Sequence, residues 1–337
     1  MSGIAYCGID FGVDCCGVAI CKDAFPAKTE DGVEVVPLST RPTASLVENV
    51  LGERSTPTYI QCPQNSTDTF VVGATARDQS QRCTKRTVNA IKLALGKTLS
   101  EVQNEINNKV WTCDIIETKN KELAFNVIEP RAKDPESTKN TFTATSLATN
   151  VFKQLLSDAA SNSGKDIKGC VLAVHPNATE KENAALVTSA KNAGFEEIAL
   201  LTTDVAVALA YGFDQVGTEE TDATPETSSE TKEEGSEQNE DEDAEEEEVA
   251  IISSPVKRIL ILDVGARSST ASLLLATNGL LQTIHTVTEA NVGGDYIDEA
   301  LVALCANQFK RTSKGLDVTA NEKAMVSIQS DAGGMKL

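Results

Sequence analysis

A chain of 337 residues with 40% hydrophobic side chains is long enough for two domains or two lobes around a buried core. Aromatic residues make up only 4% and the formal net charge is −20, which argues against stacking on bases and against binding nucleic-acid backbones. Most of that charge is local: Glu219 to Glu248 holds 16 acids and one lysine, a net of −15 that leaves −5 for the rest.

The first patterned stretch is Tyr6 to Ile20. An apolar run ends in Asp10-Phe11-Gly12, small or polar residues follow, and an apolar run resumes at Gly17. The spacing predicts a β-hairpin with a carboxylate at its mouth. Successive N–H groups in such a turn make an anion-binding concavity, and Asp10 is placed to hold the water shell of a Mg²⁺ ion.

Asp23 to Thr43 is irregular, with a short strand expected at Val33 to Pro37. Glu53 to Tyr59 reads as a polar turn entering a strand, Phe70 to Gly73 as another strand, and Ala74 to Gln81 as the start of a helix. Within Thr87 to Gly96, Lys92 interrupts an apolar stretch. It is either a surface lysine whose stem lies on apolar neighbours or a charge held for an anion.

Leu99, Val102, Ile106 and Val110 follow helical spacing. Val110 to Ile116 and Glu122 to Ile128 flank Asn120-Lys121 and predict a hairpin. Leu147, Val151, Leu155 and Ala159 predict an amphipathic helix. An α/β pattern follows: strand Gly169 to Val174, helix from Pro176 to Ala193 ended by Gly194, strand Glu197 to Leu201, and a small-residue helix Val205 to Tyr211 expected to be buried.

Gly217 to Glu248 lacks any apolar period and is expected to be disordered. It is either a solvated insertion or an acidic partner-binding segment. Nine scattered cysteines, with no Cys-x-x-Cys and only His175 and His285 as imidazoles, indicate reduced thiols rather than zinc or a disulfide framework. No signal peptide opens the chain and no apolar run is long enough to span a bilayer, so a cytoplasmic protein without a membrane segment is expected.

Downstream, Ile259 to Leu273 repeats the first pattern: aliphatic run, Asp263, Val264, Gly265, a small polar turn, second run. Leu280 to Val287 reads as a strand. Asn291-Val292-Gly293-Gly294-Asp295 precedes a helix from Tyr296 to Lys310, with another start at Asn321 to Ser327. A Gly-Gly helix opening leaves free N–H groups for a phosphate, or is a plain turn. Two like hairpins separated by helices and strands point to a duplicated α/β fold.

Taken together and in this order, these segments resemble the ATPase half of the 70-kDa heat-shock chaperones. The segments are Gly8 to Gly12, Glu53 to Tyr59, Ala90 to Gly96 around Lys92, Ala206 to Gly212, Leu262 to Gly265 and Val292 to Asp295. The resemblance implies an actin-like, ribonuclease-H-like α/β fold, with two lobes around a nucleotide cleft. Residues 1–216 would form lobe I and the start of lobe II, 217–249 an acidic insertion, and 250–337 the rest of lobe II. The family's adenosine-binding segment and peptide-binding domain would then lie beyond Leu337.

By the same resemblance the cofactors are ATP or ADP with Mg²⁺. Asp10 and Asp263 would hold the hydrated metal. Gly12, Val13, Asp14 and Cys15 would wrap the phosphates with Gly265, Ala266, Arg267 and Ser268. Lys92 would neutralise the γ-phosphate and position water, with Gly293 and Gly294 near the α/β-phosphates.

The departures from the family pattern concern the loops. Val13 and Asp14 stand where the family has two threonines, and Ala266-Arg267 where it has Gly-Gly. A carboxylate ~4 Å from phosphate costs about 4 kcal/mol at an effective dielectric of ~20, half of a micromolar affinity, unless Mg²⁺ bridges them or Asp14 turns away. Arg267 could clamp a phosphate in compensation. Thr203-Asp204 replaces Glu-Pro, so the family's catalytic glutamate is missing there and Asp204 is its nearest substitute.

Such degraded loops resemble the atypical members that pair with a J-domain protein on the ribosome. The implied activity is ATP binding with weak or absent hydrolysis, assisting the folding of nascent or unfolded polypeptides. The alternatives are a nucleotide-independent scaffold and a metal-dependent phosphotransferase or nuclease using Asp10, Asp14 and Asp263.

Overall fold

The structure, a computed structural model, describes residues 4–21, 28–30, 33–35, 44–63, 69–128, 139–215, 256–313, 315–321, 324–325 and 327–328. The acidic insertion lies outside the described residues, as does most of the stretch after Asn321.

In chain order, β1 (Ile4–Phe11) and β2 (Cys15–Cys21) form the first hairpin, followed by the small pair β3 (Lys28–Glu30) and β4 (Val33–Val35), then β5 (Ala44–Leu46). Next come β6 (Thr56–Pro57), β7 (Tyr59–Gln61), β8 (Val71–Val72), α1 (Ala74–Gln79) and β9 (Thr87–Asn89). A 3₁₀ turn, Ile91–Ala94, carries Lys92. Then follow α2 (Gln103–Asn107), β10 (Asp114–Glu117), β11 (Leu123–Val127), β12 (Asn140–Thr143) and α3 (Ala144–Ser163). The α/β part is β13 (Asp166–Val174), α4 (Glu180–Ala193), β14 (Glu197–Thr202) and α5 (Thr203–Ala210). The second hairpin is β15 (Lys257–Val264) and β16 (Ser268–Thr277), extended by β17 (Leu280–Ala290) and closed by α6 (Gly294–Thr312).

Lobe I is built on a sheet in the order β14-β13-β1-β2-β5, with β6 added to β2. β13 runs parallel to β1 and to β14, whereas β1 and β2 are antiparallel. Alternation along β1 sends Cys7, Ile9 and Phe11 into the core, with Gly8 and Asp10 on the opposite face. Phe11 stacks on Phe152 of α3 at 4.9 Å, and Phe195 meets Phe152 edge-on. The three-stranded sheets β8-β7-β9 and β10-β11-β12 join this same core through Ile60, Val88, Leu123 and Phe125.

Lobe II is the antiparallel sheet β15-β16-β17 with α5 against it. Its buried cluster is small: Ala208, Ile259, Ile261, Leu274 and Ala276. α4 starts after Thr179, on a capping box with Glu182 that was not foreseen, and ends on Gly194 in the left-handed region, the stop expected.

Two expectations need correction. The spacing of Leu99 to Val110 yields only the five-residue α2, because Lys109 takes a positive φ and turns the chain towards β10. α5 is not buried all round: Val207 is 39% and Tyr211 78% exposed. Among the described residues, neighbours cover only the α5 face that carries Ala208.

Candidate functional site

The two Asp-led hairpins have the same turn. The Gly12 N–H donates to the Cys15 carbonyl at 3.0 Å, and the Gly265 N–H to the Ser268 carbonyl at 2.9 Å. In the first turn a Cβ on Gly12 would overlap the Cys15 carbonyl oxygen, so the tight closure demands glycine. Asp10 stands opposite Gly17 on β2, and Asp263 stands opposite Thr270 on β16. Each carboxylate is therefore the penultimate side chain of its strand, carried to the sheet end by the hydrogen-bond ladder.

Asp10 feels the charges of both Lys92 and Asp263. Burial is the main cause that raises the Asp10 carboxyl above its ordinary pKa; Lys92 pulls it back down, and Asp263 pushes it up. Charge from the 3₁₀ turn and from the second hairpin thus reaches the aspartate of the first, which is open to solvent. Lys92 owes its place to local backbone. Ala90 takes φ 50° in the left-handed region, which throws the following residues into the 3₁₀ turn. The preceding Asn89 carbonyl is pinned by the Trp111 indole N–H at 2.9 Å. Held strain of this kind is commonest at functional sites.

The first loop is braced by Thr58. Its N–H donates to the Asp14 carbonyl at 2.7 Å and its hydroxyl to the Gly12 carbonyl at 3.1 Å. Val13 is half-buried, while Asp14 and Cys15 are exposed. The charges of Asp14 and Asp295 both reach the Tyr59 phenol, whose pKa is raised chiefly by burial.

The second loop is braced from α6. The Gly294 N–H donates to the Gly265 carbonyl at 3.0 Å and the Asp295 N–H to the Ala266 carbonyl at 2.8 Å. A Cβ on Gly293 would overlap the Ala266 carbonyl oxygen, so glycine lets helix and loop touch. The N–H groups expected to be free are used by the loop. Arg267 is likewise engaged: its guanidinium lies 3.2 Å from Asp295 and 3.8 Å from Glu299, over the Tyr296 ring at 5.0 Å. Its side chain is 11% exposed, and Ser268 beside it is half-buried.

Asp204 is buried, with one carboxylate oxygen accepting from the Val205 N–H and the other from the Thr283 hydroxyl at 2.9 Å. Sequence reasoning passed over His175, which leaves the end of β13 half-buried between the lobes. Its Nδ1 accepts the Asn177 N–H at 3.1 Å, and its Nε2 lies 2.8 Å from the Thr270 hydroxyl. Burial first and Lys92 second hold the imidazole below its ordinary pKa, against Asp263, Glu182 and Asp204, which raise it. The only signal in the sequence was a histidine directly after a buried strand and before Pro176. Thr58 lay within the Glu53 to Tyr59 segment and Thr270 within the second hairpin pattern, but neither hydroxyl was singled out, each being ordinary in its surroundings.

Among the described residues no three acids, histidines or cysteines come together as metal ligands, and Asp14 stands apart from the Asp10–Lys92–Asp263 group. The two-metal alternative finds no ligand set. All nine cysteines are free, and burial pushes the thiols of Cys7, Cys16, Cys113 and Cys170 up to about 12. No described helix is long and apolar enough to cross a membrane.

Two sheets that each carry an Asp-led hairpin with the same turn, with α5 packed between them, fit the actin-like class of ATPase folds. The family model for the Hsp70 protein matches residues 33–337, and the chain belongs to that family. It is 26% identical to the Heat shock 70-related protein 5 of Dictyostelium discoideum over 96% of this chain and 52% of that protein. It is 26% identical to the Heat shock 70 kDa protein 14 of Homo sapiens over 86% of this chain and 48% of that one. For the Chaperone protein dnaK of Trieres chinensis the figures are 22%, 87% and 39%. The chain thus spans about half the length of the relatives it matches, over the part that carries the family's ATPase fold.

Proposed function

We propose that this chain is an atypical chaperone nucleotide-binding domain that takes Mg-ATP or ADP weakly and hydrolyses it slowly. The reading is supported by two matched Asp-led turns, with the charges of Lys92 and Asp263 both acting on Asp10. The donor set fits the ligand. Two carboxylates without a third suit a Mg²⁺ ion that keeps most of its water, held through water by Asp10 and Asp263. Bound there, the ion would neutralise charge on the phosphate chain. Lys92 would meet the γ-phosphate and orient water. Gly12 to Cys15 and Gly265 to Ser268 would line the phosphates, with Gly293 and Gly294 behind the second loop.

Slow turnover is supported by two features. Thr203 stands where the family has a glutamate, and the nearest carboxylate, Asp204, is engaged by Val205 and Thr283. Asp14 also brings a like charge to the phosphate side. A J-domain co-chaperone, unfolded or nascent polypeptide, the ribosome and a cytoplasmic setting are proposed partners and place; they rest on the likeness of these altered loops to the ribosome-associated subclass.

A second reading is a nucleotide-independent scaffold. It is favoured by the α6 N–H groups and Arg267 being committed within the protein. Isothermal titration of the chain with Mg-ATP separates the two. Binding that is lost in Lys92→Met and Asp10→Asn supports the first, and no heat at millimolar nucleotide leaves the scaffold.

A further inference from the structure

We infer that His175 is a positioning residue: with Asn177 it closes a ring of hydrogen bonds onto Thr270 and Thr288 that sets the separation of Asp10 from Asp263. The inference rests on the nucleotide reading for its consequence and on geometry alone for the clasp.

The proton assignments follow from the contacts. The Asn177 N–H donates to Nδ1 at 3.1 Å, so Nδ1 carries no proton in the neutral ring. The proton of the neutral imidazole is then on Nε2, which donates to the Thr270 hydroxyl oxygen at 2.8 Å. Having accepted, Thr270 donates its own hydroxyl proton to Thr288 at 3.2 Å. The Asn177 side-chain amide donates to the same Thr288 oxygen at 3.2 Å. Two residues of lobe I and two of lobe II close the ring; Thr288 also lies 3.5 Å from Nε2, a longer contact than the 2.8 Å one to Thr270.

Its position gives the ring leverage. Thr270 and Thr288 are register partners on β16 and β17, and Thr270 is the register partner of Asp263. His175 follows the last residue of β13, which pairs along β1 as far as Asp10. The clasp therefore joins the strand beside one aspartate to the strand beside the other. Below it the same face of lobe II turns apolar, through Ile261, Leu274 and Ala276, so the Thr270 hydroxyl is shut off from water on that side, while Thr288 is half-buried. Thr270 is 4% exposed, and a buried hydroxyl left without a partner is costly.

The test compares His175→Leu, which removes the Nε2 donor, with His175→Gln, which restores an N–H at nearly the same reach. Thr270→Val serves as an isosteric second break should the leucine variant fail to fold. Amide hydrogen exchange of β16 and β17 is read without nucleotide, and Mg-ATP affinity by titration. The leucine and valine variants should exchange faster in both strands and bind about tenfold more weakly, and glutamine should return both towards wild type, within about twofold. Unchanged exchange, or a glutamine variant as impaired as leucine, overturns the inference. If the wild-type chain binds no Mg-ATP, the nucleotide reading falls by itself, and the exchange arm decides the clasp alone. Normal exchange shifts with unchanged affinity in a chain that does bind would overturn the link to the aspartates.

Discussion

The two hairpins share a turn but differ in what stands behind them. The first is backed by a continuous core in which Phe11, Phe152 and Phe195 pack, and its loop is held by Thr58, a buried residue of the same lobe. Among the described residues the second is backed by a cluster of five buried hydrophobic side chains, and its loop is held by the first residues of α6. The outer face of β15 exposes Leu260 at 72% and Leu262 at 70%. One aspartate is thus mounted on a rigid base and the other on a shallower one, which makes lobe II the part whose position contacts such as His175–Thr270 must settle.

The comparison is broken most directly through the cores. Phe152→Ala should destabilise by about 3–5 kcal/mol in urea unfolding, whereas Leu274→Ala in lobe II should fall near ~2 kcal/mol, the lower end for buried aliphatic side chains. Equal costs would mean that the second core is better packed than its small cluster implies. Gly293→Ala should come next, at about 1–3 kcal/mol, because α6 must move off the Ala266 carbonyl. Its exchange signature should appear in the second loop and spare the first.

At the cleft, Asp14→Thr removes the like charge facing phosphate and should tighten Mg-ATP by about 1 kcal/mol or more in titration, through the first loop alone. Unchanged affinity would show that the carboxylate points away. Asp158, buried in α3 with one oxygen unpartnered, reports on lobe I through pH. Burial raises its pKa, so the folded state favours the neutral acid. Its contribution is fully present below the ordinary carboxylate pKa and is lost as the pH rises through the raised value. Asp158→Asn should accordingly raise Tm at neutral pH, with the gain shrinking as the pH falls towards the usual carboxylate range. Thr179→Ala, which removes the α4 capping box, is the smallest change, at roughly 1 kcal/mol.

Local chemistry wrote several parts of this molecule into the chain directly. The two Asp-x-Gly turns, the Gly194 stop of α4, the α3 stripe and the β10–β11 hairpin depend on neighbours within a few residues, so their patterns were legible. The Hsp70 likeness was legible for a related reason, since loops that approach phosphate tolerate few residue types.

What tertiary structure alone decided was the company each side chain keeps. That the charges of Lys92 and Asp263 both act on Asp10 could not be read from the chain, nor that α6 sets Asp295 and Glu299 against Arg267. His175, Thr270 and Thr288 carry no pattern, because a hydrogen bond between residues about a hundred positions apart leaves no period in either strand. Hydrophobic spacing reports which face is buried; it does not report which polar atom waits on the other side.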